Sequence, residues 1–129
     1  MTPAPRTGGT VLVVEDDAAV RQGLARLLER SGFRALTADD AESALALLAG
    51  VAVDLVILDA VLPGLSGIAA YRTIHQRHPS ARVLVVSGYG EGQMDPELRR
   101  PGTSFLQKPF THLELLEAVQ RVLGSRATG

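Results

Sequence analysis

The chain has 129 residues, 46% hydrophobic and 21% charged, with a formal net charge of -1 and no cysteine. That size and balance fit one folded domain and favour neither overall disorder nor a membrane protein, and the lack of cysteine excludes a disulfide framework and thiolate metal sites. Basic and acidic residues are interspersed, so no basic surface exists to neutralise nucleic-acid phosphates, and direct nucleic-acid binding is not expected.

Residues 1–9 (MTPAPRTGG) lack the apolar stretch of a signal peptide and are expected to form a flexible leader to a domain at 10–124, with a flexible tail at 125–129. Thr10 to Val14 (TVLVV) is a β-branched run without polar alternation, which suits a strand covered on both faces. Three acids follow it at once: Glu15, Asp16 and Asp17. Asp17 reads as the N-cap of a helix on which Val20, Leu24, Leu27 and Leu28 recur at helical spacing until Gly32. Arg34 to Thr37 is a weaker second strand, and Asp40 begins a second helix with Ala44, Leu45 and Leu48 on one face, closed by Gly50. Asp54 to Leu58 (DLVIL) is a third strand, with Asp59 behind it. These two acids interrupt the most apolar part of the chain, which is too short to cross a membrane. A third helix starts at Ser66 and carries Ile68, Tyr71 and Ile74 before Pro79. Arg82 to Val86 (RVLVV) is a fourth strand, followed by Ser87. The next stretch, GYGEGQMDPELRRPGT, is rich in glycine and proline, so a fourth helix there is expected to be short or irregular. Ser104 to Gln107 is a second weaker strand candidate, the fifth strand in order, with Lys108 after it. Thr111 and Glu114 then stand at capping-box spacing ahead of Leu115, Leu116, Val119 and Val122, with Gly124 as the expected stop.

This alternation predicts an α/β fold: a (βα)5 three-layer sandwich whose parallel sheet carries helices on both faces. Ligands of such sheets sit beyond the carboxyl ends of the strands. Glu15, Asp16, Asp59, Ser87 and Lys108 all follow strands, so they are expected at one edge of the sheet. Three acids and one lysine leave two negative charges in a confined space, which a divalent cation neutralises. Carboxylates without histidine or cysteine favour Mg²⁺, for which Mn²⁺ can substitute. Taken singly, Asp59 is also compatible with a helix cap or turn, and Ser87 with an ordinary loop serine. His75, His78 and His112 have no partners at ligand spacing and read as solvated.

Four motifs stand in order: Glu15 and Asp16 in VVEDD, Asp59 in LDAVLPGLSG, Ser87 in VVSGYG and Lys108 in QKPF. Together they resemble the receiver domain of two-component response regulators, over Val11 to Leu123. SGYG and FLQKPF also resemble receivers attached to hybrid histidine kinases. The resemblance implies a flavodoxin-like fold with strand order 2-1-3-4-5 and a cis Lys108-Pro109 bond. It implies that Asp59 accepts a phosphoryl group from a sensor histidine kinase or a histidine phosphotransfer protein. Asp16 and Asp59 would bind Mg²⁺ directly, Glu15 through water, and Val61 through its backbone carbonyl. Ser87 and Lys108 would contact the phosphoryl group. Phe105 would turn inward as Ser87 closes, changing the surface offered to a downstream protein. Such a chain is a cytoplasmic signalling domain that assists its own phosphorylation and dephosphorylation, with neither membrane nor nucleic acid as a direct partner. Two features depart from the pattern: Gly88 replaces a common alanine, and EGQMDPELRRPG replaces an alanine- and leucine-rich helix. Two alternatives stand beside this reading. One is a receiver-like module that is never phosphorylated. The other is an aspartyl-phosphate hydrolase, which would want a second aspartate where Val61 stands.

Overall fold

A computed structural model describes residues 9–60, 67–88 and 103–127. Along the chain run β1 (Thr10–Val14), α1 (Ala18–Arg30), β2 (Arg34–Ala38), α2 (Ala41–Gly50), β3 (Leu55–Asp59), α3 (Gly67–Arg77), β4 (Arg82–Ser87), β5 (Thr103–Gln107) and α4 (His112–Ala127). The five strands form one sheet in the order β2-β1-β3-β4-β5, with every pairing parallel. This is the expected flavodoxin-like arrangement. The expected irregular fourth helix and Val61 lie outside the described residues.

The absence of polar alternation in the strands has its cause in two cores. Leu12, Val14, Val56, Leu58, Val83 and Val85 face α2 and α3, where they bury Ala44, Leu48, Tyr71 and Ile74. The intervening residues Val11, Val13, Leu55, Ile57, Leu84 and Val86 face α1 and α4, and pack on Leu24, Leu28, Leu115 and Val119. Successive strand side chains point to opposite faces, so covering both faces requires both residue sets to be apolar. The edge strand β5 is only half-buried, which is why its sequence signal is weak.

Local chemistry sets the element ends. Asp17 caps α1 by accepting a hydrogen bond from the Val20 amide at 3.1 Å. At the other end Phe33 N–H donates to the Leu28 carbonyl at 3.0 Å and Gly32 N–H to the Glu29 carbonyl at 3.2 Å. This double closure needs a left-handed residue, and Gly32 supplies it with φ of +97°. Asp40 caps α2 through the Ser43 amide at 2.7 Å, and that bond holds the Asp40 carboxyl below its ordinary range. Thr111 and Glu114 form the reciprocal capping box of α4.

Three sequence expectations need correction. The third strand is shifted by one residue and ends on Asp59. Asp54 instead binds the start of β1, its carboxylate accepting the Thr10 amide at 2.8 Å. Helix α4 runs through Gly124 to Ala127, because a lone interior glycine costs only about 1 kcal/mol and does not by itself end a helix. Val20 is 37% exposed despite its helical spacing.

Candidate functional site

Strand register brings the acids together. Val14 pairs with Leu58 across β1 and β3, so Glu15 and Asp59 each stand one residue further on, side by side. The ladder continues past the strands: Glu15 N–H donates to the Ala38 carbonyl at 3.1 Å, and Lys108 N–H to the Ser87 carbonyl at 2.7 Å. Carboxylate oxygens of Glu15, Asp16 and Asp59 lie within 4.8 Å of one another. Lys108 Nζ stands 3.3 Å from both Glu15 Oε2 and Asp59 Oδ2. The Lys108-Pro109 bond is cis.

Burial gives this cluster its electrostatic character. Glu15 and Asp59 are 4% and 6% exposed, whereas Asp16 lies open to solvent. Two charges no more than 4.8 Å apart repel by at least roughly 3 kcal/mol at an effective dielectric of 20. Burial, then a hydrogen bond shared with Asp59 and the charge of that neighbour, push the Glu15 carboxyl from an ordinary 4.5 to about 7, against the opposing pull of Lys108. Desolvation draws the Lys108 ammonium down, but the attraction of Asp59 and then Glu15 outweighs it, and its pKa is raised. Lys108 therefore stays charged between the two acids. Three convergent hard carboxylates suit a magnesium-sized cation, and no histidine or cysteine belongs to the cluster.

Among the predicted site residues, Glu15, Asp16, Asp59 and Lys108 form one cluster. Ser87 ends β4 and is 3% exposed. Phe105 lies on the adjacent strand, half-buried against the core facing α2 and α3. Strand alternation places Ser87 with Val83 and Val85 on that same face. Arg21 was not foreseen: its Nη1 donates to the backbone carbonyls of Glu15 at 2.9 Å and Asp16 at 3.3 Å. Of the histidines, His75 and His112 are exposed and His78 is half-buried, and the His75 ring stacks on Tyr71 with centroids 6.0 Å apart.

The raised Glu15 pKa predicts a pH dependence with a definite sign. The folded state binds the proton more tightly than the unfolded chain, so this contribution to stability is complete below about pH 4.5 and is lost as pH rises through about 7. In EDTA the melting temperature should fall across that window. Glu15→Gln should flatten the fall, and Mg²⁺ should offset it at the alkaline end. Thermal melts across pH check this; a parent profile that rises across the window contradicts it.

The profile of the response regulator receiver domain family matches residues 11–120. The chain is 39% identical over 112 residues to the response regulator protein FleR of Pseudomonas aeruginosa, covering 86% of this chain and 24% of FleR. It is 35% identical over 117 residues to the sensor kinase CckA of Brucella abortus, covering 88% of this chain and 12% of CckA. Among solved structures, the response regulator TrrA of Thermotoga maritima, determined in complex with Mg(2+)-BeF, superposes with a TM-score of 0.80 at 29% identity, covering 89% of this chain and 99% of that one. The chain belongs to the response regulator receiver domains, the signalling domains of two-component systems. It spans only a fraction of the length of FleR and CckA. No helix among the described residues is long and apolar enough to cross a membrane.

Proposed function

We propose that Asp59 is the phosphoacceptor of this receiver and takes its phosphoryl group from a phosphohistidine on a sensor kinase or a histidine phosphotransfer protein. The observation that carries this reading is the placement of Lys108 Nζ at 3.3 Å from Asp59 in a pocket where three carboxylates converge. Asp16 and Asp59 would hold Mg²⁺ directly, Glu15 through water and Val61 through its carbonyl, with Mn²⁺ able to substitute. When bound, the cation neutralises phosphoryl oxygens and lowers the repulsion that opposes approach to an anionic pocket.

An Asp59 carboxylate oxygen forms the new bond to phosphorus as the P–N bond breaks. The imidazole leaves with that electron pair and takes a proton from solvent. Positioning and charge neutralisation dominate phosphoryl transfer, and Lys108 supplies one fixed positive charge for both. The product carries about -2 charge. Ser87 would donate to one of its oxygens, and Phe105, on the same sheet face, would follow. Each charge-assisted hydrogen bond contributes about 1.5–3 kcal/mol, and inverting a switch from 1:99 to 99:1 takes about 5.5 kcal/mol, so two or three such bonds bias it strongly. The chain works in this reading as a cytoplasmic signalling domain that assists its own phosphorylation and dephosphorylation. The folded unit in this reading runs from β1 at Thr10 through the last helix, which continues past the expected boundary at residue 124 to Ala127.

The donor has an approach beside the lysine. An apolar groove of about 400 Å³ is lined by Ala19, Val20, Gly23, Pro109 and Phe110, together with Lys108 itself. A Cβ at Gly23 would meet nothing within 4 Å, so substitution starts without a clash and a longer side chain narrows the groove that Gly23 lines. Gly23→Gln is expected to retain phosphorylation by acetyl phosphate while transfer from a phosphorylated kinase slows on the order of tenfold or more. Equal slowing with both donors would place the donor elsewhere. The reading itself is tested by transfer of labelled phosphoryl from autophosphorylated histidine kinases: label should reach the parent chain and not Asp59→Asn. Label in neither marks a module that is not phosphorylated, and steady phosphate release without accumulation marks a hydrolase.

A further inference from the structure

We infer that Arg21 is a positioning residue for the metal site, holding the turn between β1 and α1 so that the carboxylates of Glu15 and Asp16 converge with Asp59. The inference rests on the reading that these acids hold Mg²⁺. An arginine one turn into a helix ordinarily extends into solvent. Arg21 instead is half-buried, and a single nitrogen, Nη1, donates to two successive carbonyls, those of Glu15 at 2.9 Å and Asp16 at 3.3 Å. Its own amide donates to the Asp17 carbonyl at 2.8 Å, which fixes the helix turn from which the guanidinium reaches back.

The turn needs such a restraint. Glu15 and Asp16 are neighbours in sequence, and their carboxylates share a space of 4.8 Å with Asp59, so mutual repulsion favours rotation of the peptide units that carry them. On the strand side the Glu15 amide is tied to β2. On the helix side Asp17 N–H reaches Glu15 Oε1 at 3.4 Å and the Asp17 carboxylate caps Val20. Arg21 bridges these two anchorages by gripping the carbonyls between them, and a cation suits that place because the carbonyl dipoles and the acids both attract it.

Position and charge predict opposite results. Removing a positive charge near a cation site strengthens cation binding by simple electrostatics. Removing a restraint on the ligands weakens it, by roughly 10–100-fold for residues that orient metal ligands. Mg²⁺ titrations of the full chain, followed by amide chemical shifts in and around Glu15 to Ala18, distinguish them. Arg21→Met should raise the Kd roughly 10–100-fold, with the protein still folded in the same spectra. Arg21→Lys should recover most of the affinity, since one nitrogen makes both bonds. Unchanged or tighter binding by Arg21→Met, or no recovery by Arg21→Lys, overturns the inference. Should Arg21→Met not fold, near-parental affinity in Arg21→Lys supports the inference and a Kd weakened as far as the range above overturns it. A parent that shows no Mg²⁺ binding, or an Asp16→Asn variant that binds as tightly as the parent, overturns the metal reading and this inference with it.

Discussion

Asp59→Asn is expected to yield a folded protein that takes up no phosphoryl group and, in EDTA near neutral pH, melts at a higher temperature than the parent. The amide is nearly isosteric but carries no nucleophilic carboxylate oxygen, so uptake should vanish and not merely slow. The stability gain comes from the pocket's charges. Asp59 is 6% exposed beside Glu15, and its charge helps to push the Glu15 carboxyl up to about 7. Removing it relieves the repulsion felt by the ionised fraction of Glu15, about half of it near neutral pH given a pKa of about 7, and Lys108 keeps its contact with Glu15 at 3.3 Å. Mg²⁺ should narrow the difference, because the parent gains more from the cation than the variant does. Intact mass and paired melts with and without Mg²⁺ read both effects. Continued uptake by the variant would identify another acceptor; a lower melting temperature in EDTA would mean that the Asp59–Lys108 contact outweighs the repulsion.

Lys108→Met should separate binding from transfer. The variant leaves Glu15, Asp16 and Asp59 without their ammonium, so Mg²⁺ binding is expected to persist or tighten. Transfer should slow roughly 10²–10³-fold, the usual cost of removing one preorganised charge stabiliser. Removing one partner of a buried ion pair costs about 3–5 kcal/mol. The Lys108 side chain is 33% exposed, so a smaller loss of about 1–3 kcal/mol is expected in EDTA after allowing for solvent screening. Phosphorylation rates at saturating Mg²⁺, with denaturant melts in EDTA, check the two halves. A variant that transfers at the parental rate would remove Lys108 from the chemistry.

The sheet was legible because burial on both faces leaves a direct mark: Val11 to Val14 and Leu55 to Leu58 contain no polar residue. The same logic located the site, since the residues after these runs must share one edge. Pairwise placement was not legible. That Glu15 and Asp59 stand level depends on the register of Val14 with Leu58, which neither segment encodes alone. The role of Arg21 is not legible in the sequence for a related reason. Its partners are backbone carbonyls, and carbonyls leave no signature in residue types. Gly124 misled as a stop because a glycine ends a helix where the chain also turns, as at Gly32 with its positive φ, and not by composition alone. Val20 follows the helical period but lies at the edge of α1 beside the groove with Pro109 and Phe110, past the end of the core that its spacing implies.

In this reading, acids drawn from separate strands hold a magnesium ion so that Asp59 becomes phosphorylated. The most direct measurement is the intact mass of the chain after incubation with acetyl phosphate, with Mg²⁺ or with EDTA, followed by peptide mapping of the modified residue. The account predicts a single added phosphoryl group on Asp59 in Mg²⁺ and none in EDTA. Equal modification in EDTA, or a phosphoryl group mapped to any other residue, would contradict it.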